Sequence, residues 1–480
     1  MKKKTYLLLM LLIPMLSMQA VTRYVKTTGD DLNDGLTWAT AKLTIPAALT
    51  ASAIGDVVYV AGGTYVHPDA TTPVYTVKDG VNVYGGYNAS TGLRDLVNQT
   101  TVLTPGQTGF RVLQYPGTPL TVETIWDGFT ITGGNRATDA SGVSMGTLFI
   151  VSNCIISGNS SDANNGGAIS CFSGGKLLNC IIENNTTGGT GGAFFTSSAS
   201  YVIIENCIIR NNKSTGTGGS GGFVLKGTSI MKNCIVANNE APVGPSGAGN
   251  AASSAKIINC TIVNNKAARS GGIYMGQTSS IQNSIVWNNI STTTTSPVIA
   301  FEPTATMTTC AIQSGTPANG SFLLNASNTA TDGPNFVAPS TIIGNTTEDI
   351  ESINWRIKDN SPCIDAGTDY TDSGVTTDIV GTLRPWDRGF DIGAYEFDGT
   401  TAIDNIKDMN VLTIYPNPIK DVVTLNVQNI NSIKVYNVAG LSIPFKHTNS
   451  QIDVSTLAKG IYTFVINADN KNYVARAIKN

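Results

Sequence analysis

The sequence predicts an all-β fold: a right-handed parallel β-helix with three short strands per coil of about 26 residues, followed by a small antiparallel β-sandwich. Three observations predict it. The strings SNCIISGN, LNCIIENN, ENCIIRNN, KNCIVANN, INCTIVNN and QNSIVWNN place Asn at 153, 179, 206, 233, 259 and 283, spacings of 26, 27, 27, 26 and 24 residues. Gly-Gly pairs at 166, 191, 221 and 271 recur at one phase after each polar turn. Beyond Phe397 the pattern changes to short alternating runs separated by turn signals. The chain has 480 residues, 41% of them hydrophobic and only 13% charged, which is ample for a core.

The elements follow in chain order. The opening MKKKTYLLLMLLIPMLSMQA sets three lysines before an apolar run from Tyr6 to Leu16, with Ala20 before Val21. That order predicts a signal peptide over residues 1–20, cleaved after Ala20. The run is too short to span a bilayer and no later stretch reaches eighteen apolar residues, so no transmembrane segment is expected in the mature chain. Losing Lys2, Lys3 and Lys4 leaves 27 basic against 33 acidic residues, which excludes a basic surface for nucleic acid. The only two histidines, His67 and His447, leave little room for His-based zinc sites or Ser-His-Asp chemistry.

Within each repeat an apolar residue lies three before the Cys (Val151, Leu177, Ile204, Met231, Ile257, and Ile281 before Ser284) and another two after it (Ile156, Ile182, Ile209, Val236, Ile262, Val286). A gap of five is odd, so one straight strand of period two cannot bury both. A corner at the Asn resolves the conflict, because Asn tolerates the left-handed backbone region. The Gly-Gly segments supply the third strand. At a strand spacing of ~4.8 Å, about twelve coils between residues 55 and 365 are expected, a rod of roughly 55–60 Å. Cys154, Cys180, Cys207, Cys234 and Cys260 share one repeat position and read as a buried ladder, not as disulfide partners, since equivalent positions on parallel strands point alongside one another. Cys171, Cys310 and Cys363 read as lying outside it, with one disulfide among them left open. The Asn pairs, such as Asn184-Asn185, are expected to stack as amide ladders.

Residues 23–65 combine a polar turn, a helix near Ile45–Ala53 and a strand, and this order resembles the N-terminal cap of pectin-lyase-like β-helix proteins. Ser361-Pro362-Cys363-Ile364-Asp365-Ala366-Gly367 and Asp391-Ile392-Gly393-Ala394-Tyr395-Glu396 resemble the closing motifs of choice-of-anchor Q proteins. The resemblance covers most of 22–398 and implies a surface β-helix without defining an activity. Residues 21–398 therefore form the β-helix with its two caps, and 399–410 a polar linker. In 411–480, Tyr415-Pro416-Asn417-Pro418, Lys434-Val435-Tyr436-Asn437-Val438-Ala439-Gly440 and Leu457-Ala458-Lys459-Gly460-Ile461-Tyr462 resemble the C-terminal sorting domain of the type IX secretion system of Bacteroidetes. That resemblance implies the secretion machinery as partner, export to the extracellular face of the outer membrane or the medium, and linkage of some cargo to lipopolysaccharide.

Candidate chemistry is sparse. Arg356-Ile357-Lys358 looks like part of a polygalacturonase signature but lacks its Gly-His-Gly and reads as chance. A polysaccharide lyase needs a base near carboxylates. The repeats offer Glu183 with Arg210 and Glu205 with Lys232, each pair one coil apart, where cross-strand ion pairing is the competing reading. No other cofactor is implied. A structural Ca²⁺ is considered among Asp365, Asp378, Asp387 and Asp391, and less so at Asp30, Asp31, Asn33 and Asp34, where a turn is favoured. His67, Trp38 and Trp126 read as packing residues, while Tyr84, Tyr87, Phe129 and Tyr274 are candidate stacking platforms for sugars. The reading is a monomeric, non-catalytic glycan-binding or adhesion module, with a polysaccharide lyase and a surface spacer as alternatives.

Overall fold

The computed structural model describes residues 20–399 except 163–164, 294–298, 325–326, 330–331, 347, 349–351 and 387. Beyond 399 it describes 410–411, 414–415, 419, 421–425, 430–437, 443, 445–448, 451–455, 457, 460–468 and 471–479. The expected signal peptide, most of the linker and parts of the sorting motifs lie outside these residues. Contacts divide the chain into two units, Met1–Asp398 and Gly399–Asn480.

The first unit is a parallel β-helix. One coil runs Gly174–Leu178, Ile181–Glu183, Thr186–Thr187 and Phe194–Thr196, then returns at Tyr201–Glu205. Its strands join four sheets: sheet I of eleven strands from Thr22–Val25 to Thr306–Thr308, sheet II of eleven from Gly63–Val66 to Phe322–Leu323, sheet III of seven, and sheet IV of nine. Sheets I, II and IV are the three expected from the repeats. Sheet III consists of two-residue strands after the Asn pairs, too short to leave a period in the sequence.

The corners have a common cause. Asn153, Asn179, Asn206, Asn233, Asn259 and Asn283 all have φ between 44° and 54°, and so bend the chain from sheet I into sheet II. Asn184, Asn211, Asn238, Asn264 and Asn288 do the same on leaving sheet II, with φ from 52° to 56°. Each of these is followed by a second Asn whose amide turns inward. Asn159, Asn185, Asn212, Asn239, Asn265 and Asn289 form a buried ladder in which each Nδ2 donates to the next Oδ1 at 2.8–3.1 Å. The second member of each pair forms the continuous ladder, while among the first members Asn288 Nδ2 donates to Asn264 Oδ1 at 2.8 Å.

The expected apolar positions fill the core, with Phe194 and Phe223 stacked at 5.5 Å. Phe129 and Trp126 are also buried there, 5.6 Å apart, so Phe129 is no stacking platform. All eight cysteines are buried and free. Cys310 continues the ladder: its Sγ lies 3.3 Å from the carbonyl of Thr308, as Cys180 Sγ does from that of Leu178. The repeat string does not reveal this, because Thr309 stands where the other repeats have Asn. Burial pushes the thiols of Cys171, Cys310 and Cys363 up to about 12.

A helix, Ile45–Ala51, opens the unit; Thr44 caps it, Pro46 sits in its first turn, and Ile45, Ala48 and Leu49 are buried against the core. The other end departs from expectation. Sheet II ends at Leu323, and among the described residues the chain beyond adds no coils toward residue 365. Instead Phe336, Trp355, Ile357, Cys363, Ile392 and Ala394 pack on the outward side chains of sheet II, Ile235, Val263, Ile285, Trp287 and Ala311. This is a flanking layer and not an end cap. An apolar outer sheet surface can be buried only by a second layer, and Phe336 and Trp355 with their aliphatic neighbours supply it. The corner amides fasten it. Asn233 donates to Thr377 O, Asn259 to Asp391 O, Asn283 to Thr368 O, Asn238 to Ile342 O, and Asn264 to Ser340 O, at 2.6–3.1 Å.

The second unit has two four-stranded sheets, one containing Ile430–Asn437, Gly460–Ala468 and Lys471–Lys479, the other Val422–Leu425, Lys446–Thr448 and Gln451–Asp453. All pairs are antiparallel except that of Asn410–Val411. Val423, Ile452, Val435, Phe464 and Ile466 share one core, as expected of a small sandwich.

Candidate functional site

The charged repeat residues meet as the spacing implies. Glu183 and Arg210 are register partners with Nε–Oε2 at 2.7 Å, and Glu205 and Lys232 are partners at 3.2 Å. Both pairs lie beside the flanking layer. Lys232 Nζ also donates to Gly374 O at 2.9 Å and is 9% exposed. Arg210 lines a cavity of about 60 Å³ with Asn211, Trp355 and Tyr395. Each cation is thus held by a carboxylate, and Lys232 also by a carbonyl of the layer.

The acidic residues of the layer form a hydrogen-bonded cluster. Asp378 accepts from the backbone N–H groups of Val380, Thr382 and Glu396, and Asp391 from those of Asp365 and Phe397. Arg384, fully buried, donates to Glu396 at 2.7 Å and to the carbonyls of Asp391 and Gly393. Burial lifts the carboxyl of Asp391 to about 6 and that of Glu396 to about 7, with Arg384 pulling both back down. The same bonds tie the two closing motifs together, with Ile392 N donating to Cys363 O at 3.0 Å. Asp387 lies outside the described residues. Among the described residues, no group of three or more His, Cys, Asp or Glu side chains converges as a metal site. In the loop at 30–34, Asp31 accepts from Leu43 and Thr44, while the Lys42 ammonium takes the carbonyls of Asp31 and Asn33.

A different site emerges on sheet I. One outward row runs through register partners Tyr24, Tyr59, Tyr84, Asp127, Ser152, Leu178, Glu205 and Lys232. Its first three members are half-buried rings, Tyr24–Tyr59 at 5.9 Å and Tyr59–Tyr84 at 6.1 Å. Trp38 adds a ring 4.8 Å from Tyr24, and Tyr87 stacks on Tyr59 at 4.3 Å. Tyr84 and Tyr87 are three residues apart and would point to opposite sides of a regular strand. The register shift between Tyr59 and Ala61, opposite Gly85-Gly86 with Gly86 at φ 85°, brings both to the same side. A Cβ at Gly85 would lie 2.6 Å from Gly128 O, so this close approach requires glycine.

Arg94 closes the strip. Its guanidinium sits 5.5 Å from the Tyr84 ring centre and 5.8 Å from that of Tyr87, its Nε donates to Gly85 O at 2.7 Å, and it forms an ion pair with Asp127. Asp127 is further held by Ser152 Oγ at 2.5 Å and Asn153 Nδ2 at 2.6 Å. Of the candidate platforms, Tyr84 and Tyr87 belong to the strip. Tyr274 stands apart on sheet IV, bonded to Glu302 at 2.6 Å. Trp38, read as a packing residue, is a member. Trp126 is a core residue as expected, and His67 packs edge-on to Tyr75 at 4.8 Å. Tyr24, Tyr59, Arg94 and Asp127 were missed. The one signal was a Tyr at the same place in TRYVK, VVYVA and VNVYGG.

Residues 413–480 match the family described as secretion system C-terminal sorting domain. No curated protein matches the chain. Among solved structures it is similar to pectate lyase Pel9A, at 14% identity over 79% of this chain and 97% of that one, TM-score 0.46. It is also similar to a rhamnogalacturonan lyase, at 16% identity over 76% of this chain and 99% of that one, TM-score 0.34. A third similarity is to XylC in complex with xylose, at 11% identity over 93% of this chain and 100% of that one, TM-score 0.32. The parallel β-helix itself rests on the strand pairing described above. The C-terminal match is of another kind, because that domain is a sorting signal: the chain is exported by the type IX secretion system to the cell surface or the medium.

Proposed function

We propose that the protein is a non-catalytic glycan-binding or adhesion module of the choice-of-anchor Q type, with residues 1–20 as its signal peptide. The observation that carries this reading is the strip of half-buried rings Tyr24, Trp38, Tyr59, Tyr84 and Tyr87 on the outward row of sheet I. Aromatic rings present a flat apolar surface with a polar tip, which suits the CH-rich side of a pyranose and its hydroxyls. The charged residues that a lyase would use are engaged instead in cross-strand pairs and bonds to the flanking layer.

The test is to incubate the exported chain with a panel of polysaccharides, following both retention and the ultraviolet absorbance of unsaturated products. Retention without product is expected. Product formation that disappears in Lys232→Ala or Glu183→Ala would replace this reading with a lyase.

A further inference from the structure

We infer that the strip takes an uncharged polysaccharide rather than a uronate or sulfated one, and that Arg94 orders its rings instead of contacting ligand charge; this rests on the glycan-binding reading above. Charge is balanced along the strip's own segments: residues 22–42, 57–61 and 82–96 carry Asp30, Asp31, Asp34 and Asp95 against Arg23, Lys26, Lys42 and Arg94, and Asp127 adds a carboxylate paired with Arg94. Three of those four cations are already occupied: Arg94 by Asp127 and Gly85 O, Lys42 by Asn33 O at 2.6 Å and Asp31 O, and Arg23 by Asp34 O at 2.8 Å. An anionic polymer would meet no excess of positive charge there, and the mature chain as a whole is acidic.

The strip also offers neutral hydrogen-bonding groups. Among the described residues nothing pairs with the hydroxyls of Tyr24 and Tyr84, which stand at either side of Tyr59 on neighbouring strands. Asn82, which accepts from Ile125 N at 2.8 Å, sits two residues before Tyr84 on the same strand. Such groups match sugar hydroxyls without requiring a charged partner.

Arg94 faces the rings and the protein's own acceptors. Its planar group covers the Tyr84 and Tyr87 rings while its hydrogen bonds run to Gly85 O and Asp127. That arrangement makes Arg94 a positioning residue, its charge cancelled by Asp127 and its plane fixing the two rings.

Affinity electrophoresis of the full exported chain tests this, using gels that contain soluble β-glucan, glucomannan or xylan on one side and polygalacturonate on the other. Retardation by at least one neutral polymer is expected, unchanged by added salt, with Tyr59→Ala weakening it roughly tenfold. Tyr59→Phe, which keeps the ring, is expected to retain most of the affinity, and matching melting curves show that each variant is folded. Arg94→Lys is expected to weaken neutral-polymer binding while leaving its salt dependence flat. Salt-sensitive binding to polygalacturonate alone would overturn the inference and leave the glycan-binding reading standing. So would neutral-polymer binding that Tyr59→Ala does not alter. Retardation by no polymer in a wide panel would overturn both.

Discussion

The early and late coils of the β-helix are built from the same repeat and end in different surroundings. Ile155 and Ile235 occupy one repeat position, outward on sheet II, yet Ile155 is 38% exposed and Ile235 is 2% exposed. The flanking layer makes the difference: it lies over the later coils and leaves the earlier ones bare. The outward row of sheet I divides similarly, with half-buried rings at Tyr24, Tyr59 and Tyr84 and a lysine held under Gly374 at Lys232. A uniform repeat therefore supports two surroundings. Its late coils hold the flanking layer of the same unit, while its early coils leave outward side chains uncovered.

The largest expected effect comes from breaking the layer. Phe336 is fully buried between Trp287 and Trp355, and Phe336→Ala should cost about 3–5 kcal/mol of stability in denaturant unfolding. Ile235→Ala should cost about 2–5 kcal/mol and Ile155→Ala less than about 1, although the two sequences read alike. Equal losses would mean that the layer does not cover the late coils.

The corner asparagines sharpen the same contrast at lower cost. Asn264 donates to Ser340 O at 2.8 Å and Ile342 O at 3.0 Å, whereas the equivalent Asn184 is exposed. Glycine keeps the left-handed corner in both, so Asn264→Gly should lose about 1–3 kcal/mol and Asn184→Gly only a few tenths. Melting of the two variants side by side reads the clasp directly.

The smallest effect is a pH dependence confined to the layer. Asp391 and Glu396 have folded values of about 6 and 7, above the unfolded carboxyl range near about 4. Between those limits the folded chain holds protons that the unfolded chain has released. Their contribution is therefore full below about pH 4 and lost as pH rises through 6 and 7. The melting temperature should climb modestly as pH falls from about 8 to about 5, and Glu396→Gln should flatten that slope. Excess chelator should leave the melting temperature in place, since Arg384 and backbone N–H groups already bind these carboxylates; a fall of several degrees would reveal a structural cation.

Residues paired at the coil spacing were legible in the sequence. Glu183 and Arg210 are 27 residues apart, one coil length, so their ion pair follows from the period alone. The strip was not. Tyr24 and Tyr59 are 35 residues apart because the capping helix intervenes, Trp38 arrives from a loop, and Tyr87 joins only through a bulge. Arg94 and Asp127, 33 residues apart, share no repeat position.

By itself, the sequence determined the coil, its Asn corners, its inward apolar positions, its cysteine ladder and its sorting domain. These depend on local backbone preference and on stacking like upon like, both of which leave a period in the chain. Only the tertiary structure decided that the described residues of 324–397 run along the outside of sheet II instead of closing its end, and which outward positions remain open. An apolar outward residue looks the same in sequence whether a distant segment covers it or not, because that burial is set by residues far along the chain, as where Phe336, Trp355 and Ile392 of the layer cover Ile235 and Trp287 of the sheet.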